Sequence, residues 1–167
     1  MYNSVIAQSD PLVGKRNTIS LTLVSNVNLA ASENSIIEIS GLLNATSNRN
    51  VTLLENPSGN DGFLLFGTAG VASTAIFEHD ALTLTIMPGQ TLIAQKVYAL
   101  DFEVTNPGAK QPAPELHIKA SGTAVFESER LAVPHLPVTG VINGSDVMLI
   151  EMPSFEIKAI AQSIPLA

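Results

Sequence analysis

The chain has 167 residues, of which 46% are apolar and only 14% charged, with a formal net charge of −7 and no cysteine. That length accommodates one domain with a sizeable core, and the composition belongs to a globular chain rather than a disordered one. The acidic balance, with no basic run to displace counterions, sets nucleic acid aside as a partner, and the lack of cysteine removes disulfides, thiolate metal sites and cysteine nucleophiles together.

Ile19, Leu21 and Leu23 alternate with Ser20 and Thr22, which predicts a strand with one buried face. Shorter strands are predicted at residues 35–40 and 51–54, followed by the turn signals Asn56-Pro57 and Gly59-Asn60-Asp61-Gly62. Further strands are expected at 63–66 and 72–77, and Leu82, Leu84 and Ile86 alternate with Thr83 and Thr85 before the turn signal Pro88-Gly89. Tyr98, Leu100, Phe102 and Val104 alternate with Asp101 and Glu103, and Leu116, Ile118 and Ala120 with His117 and Lys119. These two runs read as the long central strands. Pro107, Pro112 and Pro114 exclude a regular strand across 105–115. Residues 123–137 are irregular and read as a surface excursion; a turn at Asn143-Gly144, a strand at 147–151 and a last alternating run at 155–160 complete the chain. Many short strands divided by turn signals predict an all-β, Ig-like antiparallel two-sheet β-sandwich formed by residues 1–167. The first ten residues lack a basic and an apolar leader region and no run of about 18 apolar residues occurs, so no membrane insertion is expected in this segment.

One feature is not local. Ile6-Ala7-Gln8-Ser9-Asp10-Pro11-Leu12 returns as Ile160-Ala161-Gln162-Ser163-Ile164-Pro165-Leu166, identical at six of seven positions and offset by 154 residues. Residues 6–12 and 160–166 therefore read as equivalent inter-module segments of a tandem repeat, so the chain holds one full period and the start of the next. The junction residues are Ile6, Ala7, Gln8, Ser9, Pro11, Leu12, Ile160, Ala161, Gln162, Ser163, Pro165 and Leu166. Since the alternation from Phe155 runs into the second copy without a Gly/Ser linker, the joint is expected to be semi-rigid.

An ordered series of short motifs carries a resemblance. It comprises Asn17-Thr18-Ile19-Ser20-Leu21-Thr22-Leu23, Ile37-Glu38-Ile39-Ser40-Gly41-Leu42, Leu82-Thr83-Leu84-Thr85-Ile86 with Pro88-Gly89-Gln90-Thr91-Leu92, and Phe102-Glu103-Val104-Thr105-Asn106-Pro107 with Gln111. In this order, over residues 9–122 and 155–165, it resembles the repeats of very large, uncharacterised cell-surface proteins of microalgae, dinoflagellates and other protists. The resemblance implies a setting, extracellular or at the cell surface, and no reaction.

Candidate chemistry is sparse. Glu78-His79-Asp80 is the densest cluster of metal-ligating residue types, but in a strand His79 points away from its neighbours, and no EF-hand spacing occurs, so the three read as turn residues. Asp10 and the Gly59 to Gly62 loop read the same way. Gly144-Ser145-Asp146 lies in a turn signal with no nucleophile elbow around it, and Asp101 with Glu103 reads as the solvent face of a strand rather than a glycosidase pair. Neither an enzyme activity nor a cofactor is expected. Asn44, Asn50 and Asn143 each open a glycosylation sequon. A sugar platform needs exposed aromatics; the chain has no tryptophan, and Tyr98 is in phase with core residues. The expected function is a structural or adhesive module of an extracellular array or filament, with a carbohydrate-binding module as the alternative. Its partners are neighbouring copies of the same module, with glycans or extracellular matrix as further candidates.

Overall fold

The computed structural model describes residues 4–58 and 62–154. Thirteen strands occur among the described residues. In chain order they are β1 (Val5–Gln8), β2 (Arg16–Val24), β3 (Leu29–Ala30), β4 (Ile36–Ser40), β5 (Asn50–Glu55), β6 (Gly67–Thr68), β7 (Val71–Ala72), β8 (Thr74–Glu78), β9 (Ala81–Thr85), β10 (Thr91–Leu92), β11 (Val97–Thr105), β12 (His117–Ser121) and β13 (Phe126–Arg130). Nine form one sheet in the order β1-β2-β11-β5-β8-β9-β4-β12-β13, antiparallel throughout.

The fold is the all-β antiparallel β-sandwich that the alternation predicts, and its two layers are one sheet curled over itself. β5 makes the bend. Its residues Leu53, Leu54 and Glu55 pair with β11, whereas Asn50, Val51 and Thr52 pair with β8, so the strand leaves one layer and enters the other. The apolar phase of every long strand faces the space between the layers: Ile19, Leu21 and Leu23 of β2 and Leu100 and Phe102 of β11 meet Ile37 and Ile39 of β4, Leu82 and Leu84 of β9 and Ile118 of β12 in one core. Period-two patterning places these side chains on one face, and their removal from water is the main term that holds the layers together.

Loops are fixed by backbone chemistry. His79 and Asp80, with φ of 52° and 59°, form a two-residue hairpin between β8 and β9, the mirror-image turn whose twist suits adjacent strands. Gly122 has φ of 109°, and a Cβ there would lie 2.4 Å from Ser35 Cα, so only glycine passes this point after β12.

Three sequence expectations are corrected. Residues 63–66 are not a strand: Gly62–Leu65 is a 3-10 turn lying against β11, so close that a Cβ on Gly62 would sit 2.6 Å from Ala99 O. Residues 147–151 are not a strand either, because consecutive turns bonded through Asp146 N to Asn143 O and Leu149 N to Asp146 O, with Met148 at φ of 62°, bury Val147, Met148 and Ile150 without a ladder. Within 123–137, expected as an excursion, Phe126–Arg130 forms β13, and Leu131 enters the core. Residues 105–115 are strand-free beyond Thr105, as the prolines require. The expected run at 155–160 lies outside the described residues.

Candidate functional site

The repeated heptad is the place where the sequence points to function, and its first copy is an integral strand. In β1, Ile6 and Gln8 face inward while Val5 and Ala7 lie on the other face. β1 pairs with β2 in the register Val5 to Thr22, Ile6 to Leu21, Ala7 to Ser20 and Gln8 to Ile19. Its far side, which would otherwise be a bare sheet edge, is covered by residues 132–151. Ile6 N donates to Ala132 O (3.0 Å), Gln8 N to Ser145 O (3.1 Å), Val13 N to Glu151 O (3.1 Å), and Glu151 N to Pro11 O (2.7 Å). Covering both sides of β1 removes an edge that could otherwise template aggregation.

Gln8 carries a polar group into this interior, where an unmet donor or acceptor is costly. None is left unmet. Its Nε2 donates to Gly144 O (3.0 Å) and Leu149 O (2.9 Å), and its Oε1 accepts from Asn17 Nδ2 (2.9 Å) and Met148 N (2.9 Å). Two donors and two acceptor positions are all that a carboxamide has. Asn17, wholly buried on β2, extends the network: its Nδ2 also donates to Asn106 Oδ1 (2.8 Å), and its Oδ1 accepts from Ser9 N and Asp10 N, both at 3.1 Å. Asn106 then donates to Asp10 O and Leu12 O, both at 2.8 Å. Three carboxamides from three parts of the chain thus hold the heptad and the segment 144–149 together.

The remaining heptad residues have smaller parts. Ser9 Oγ accepts from Thr18 N (2.9 Å), and Asp10 Oδ1 accepts from Leu12 N (2.9 Å), a local turn bond. Pro11 is buried. Ile160, Ala161, Gln162, Ser163, Pro165 and Leu166 lie outside the described residues. Neither the burial of Ile6 nor the role of Gln8 was foreseen, and the only sequence signal at both positions was their return as Ile160 and Gln162.

The other candidates are occupied by structure. Glu78 pairs with Arg49, and Asp80 Oδ1 accepts from Asn44 N (3.0 Å), so the Glu78-His79-Asp80 cluster serves its turn. Glu103 pairs with Arg16, and Asp101 accepts from Asn56 Nδ2. Ser145 Oγ accepts from Leu136 N (2.7 Å), and Asp146 Oδ2 lies 2.8 Å from His135 Nδ1, a pair the sequence reading missed. Tyr98 is 5% exposed and its hydroxyl accepts from Ile93 N (2.9 Å), which assigns the ring to the core. Asn44, Asn50 and Asn143 are exposed, and Asn44 Nδ2 donates to Gln111 Oε1. Asn50 stands on an open groove lined by Arg16, Ser47, Thr52 and Glu103. No group of three or more His, Asp or Glu residues is arranged for a metal among the described residues.

No protein-family model matches the chain, and no curated protein matches it. Among solved structures it is similar to the group B streptococcus pilus 2b backbone protein, with 15% identity and a TM-score of 0.44 over 78% of this chain and 56% of that one. It is also similar to a GH20 exo β-N-acetylglucosaminidase from Vibrio harveyi, with 11% identity and a TM-score of 0.39 over 78% of this chain and 18% of that one. The chain thus spans little more than half of the first protein and under a fifth of the second. The β-sandwich assignment rests on the strand pairing described above and not on these distant likenesses.

Proposed function

We propose that this chain is a non-catalytic structural or adhesive module, repeated end to end in a long array or filament outside the cell. The carrying observation is that Ile6, Ala7 and Gln8 belong to strand β1, with Ile6 buried and Gln8 in a dedicated polar socket, so a second Ile-Ala-Gln-Ser beginning at residue 160 has the makings of the next module's first strand. In such an array the modules share no free hinge, because one fold begins where the previous one closes. Each nearest-neighbour contact then adds to the stability of the whole.

The setting of β1 supports a mechanical role. Val5 starts β1 and bridges Ala132, while Leu12, beyond the other end of the strand, bridges Glu151. Tension applied between these points runs along β1 and loads its hydrogen bonds to β2 and to residues 132–151 together rather than one after another. The sparse charge and the Ser, Thr and Asn content suit an extracellular surface, where neighbouring copies, glycans or matrix are the partners.

A two-module polypeptide tests the reading: residues 1–166 followed directly by residues 13–167, so that residues 160–166 open the second module in place of its residues 6–12. Single-molecule pulling is expected to give two unfolding events of equal size, each releasing roughly 500 Å of chain at about 3.3–3.6 Å per residue. A single event, with the second copy unfolded throughout, would refute the array.

A further inference from the structure

The slot that holds β1 has the properties of a peptide-binding site, and the chain carries a second peptide that matches it. We propose that Ile160-Ala161-Gln162-Ser163 of one copy fills the β1 slot of a second copy, joining separate chains by strand exchange. This deepens the array reading and rests on it, by naming the site and the segment through which chains that are not covalently continuous associate.

The slot reads a strand at four points. On one side β2 supplies antiparallel pairing from Thr22 to Ile19, and on the other Ala132 O and Ser145 O accept the backbone N–H groups of positions 6 and 8. Backbone pairing of this kind accepts any extended peptide, so selectivity comes from alternate side-chain positions. The first is an apolar well that leaves Ile6 0% exposed. The second is the socket built from Gly144 O, Leu149 O, Met148 N and Asn17 Nδ2, which offers two acceptors and two donors in the arrangement a carboxamide completes. A leucine there would satisfy none of them, and a carboxylate would set oxygen against two carbonyls. The third is Thr18 N, which donates to the hydroxyl of Ser9. Position 7 is read least, since Ala7 is only half-buried on the outer face. Ile160, Gln162 and Ser163 reproduce all three selected side chains at the same spacing, and Ala161 reproduces the fourth residue.

The two heptads differ where the slot is tolerant. Asp10 contributes one side-chain bond, to Leu12 N, and Ile164 forgoes only that, because the bond from position 10 to Asn17 Oδ1 comes from the backbone. Upstream, Ser4 Oγ accepts from Val24 N and Lys158 has no acceptor to offer, so the correspondence does not extend back to residue 158. A chain's own β1 is held at an effective concentration in the millimolar range, so exchange between intact copies is a minority state unless the local strand is weakened or the exchanged state is trapped.

Both situations can be measured. In the first, full-length chain carrying Gln8→Ala is titrated with a synthetic peptide of residues 159–167. The expected result is a concentration-dependent rise in Tm, as for any ligand that binds the folded state alone, with at least about fivefold weaker binding by the same peptide carrying Gln162→Leu. In the second, which keeps β1 intact and does not depend on Gln8→Ala folding, chain with Ser20→Cys is mixed with chain with Ala161→Cys, heated, cooled and oxidised. Ser20 faces Ala7 across β1 and β2, so position 161 meets position 20 only if the foreign segment lies in the β1 register. The chain has no other cysteine, and a mixed disulfide dimer is expected that grows with concentration and is lost when the donor carries Gln162→Leu. Absence of that dimer, or a dimer indifferent to Gln162→Leu, overturns the proposal. A Tm unaffected by the peptide in a folded Gln8→Ala chain overturns it as well. Either failure leaves the covalent array intact, since pulling on the two-module chain tests that separately.

Discussion

Replacing Gln8 by leucine is expected to destabilise the domain by about 3–5 kcal/mol, the exceptional end of single substitutions, although leucine is similar in size and more apolar. The loss does not come from packing. It comes from Gly144 O, Leu149 O, Met148 N and one Asn17 proton, which lose their shared partner while staying buried. An unmet buried group costs about 1–3 kcal/mol, and the four costs overlap because removing Gln8 loosens the segment they belong to. In thermal unfolding at this chain length the expected fall in Tm is about 10 °C. Residues 144–149 should lose hydrogen-exchange protection before the β2–β11 pair does, since the network is what binds that segment to the sheet. A fall in Tm of under about 2 °C would mean that the socket is not a determinant of the fold.

Truncating Phe102 to alanine is expected to cost a comparable 3–5 kcal/mol by the opposite mechanism, an apolar cavity. Phe102 is wholly buried on β11, with Ile19 of β2 and Leu53 of β5 as its cross-strand neighbours. Leu53 belongs to the half of β5 that still pairs with β11, next to the point where that strand crosses to the other layer. The cavity therefore opens at the bend of the curled sheet. Urea unfolding should show a lower midpoint, with Phe102→Leu recovering most of the difference because it refills most of the volume. Both residues have Ile19 as a cross-strand neighbour, Gln8 between β1 and β2 and Phe102 between β2 and β11, so the double variant is expected to depart from the sum of the two free energies.

How much was legible in the sequence follows from what each element depends on. β2, β11, β9 and β12 were readable because each buries one face, and period-two alternation is the direct imprint of that burial. The 3-10 turn at Gly62–Leu65 was not, because its apolar run Phe63 to Phe66 looks the same in a strand and in a turn; what decides it is the close approach of Gly62 to Ala99 O, a tertiary fact. Residues 147–151 failed for a similar reason, their burial coming from turns bonded within 143–149. β13 escaped because Phe126–Arg130 is polar and exposed after its first residue, so it carries no apolar phase. The hub at Gln8 was half legible. The repeat marked the heptad as special, but a buried glutamine has no periodic signature, and its partners come from positions 17, 144, 148 and 149, which no spacing rule connects.

The same physics links these residues to function. A strand secured only by apolar contacts tolerates many replacements, whereas a carboxamide socket demands one side chain in one register. A repeated module benefits from that demand, because a slip of one residue would turn every inward side chain of β1 outward. The repeat of Gln at 162 is thus the feature that most directly connects sequence and fold with the proposed assembly.

The central claim is that the heptad beginning at residue 160 is the opening strand of a following module. Amide hydrogen exchange on the two-module chain described above, read at the junction, tests it most directly. The account predicts that the backbone amides of Ile160 and Gln162 at the junction exchange as slowly as those of the first module's Ile6 and Gln8. Exchange there at the rate of an unstructured linker, with the first copy's amides still protected, would contradict it.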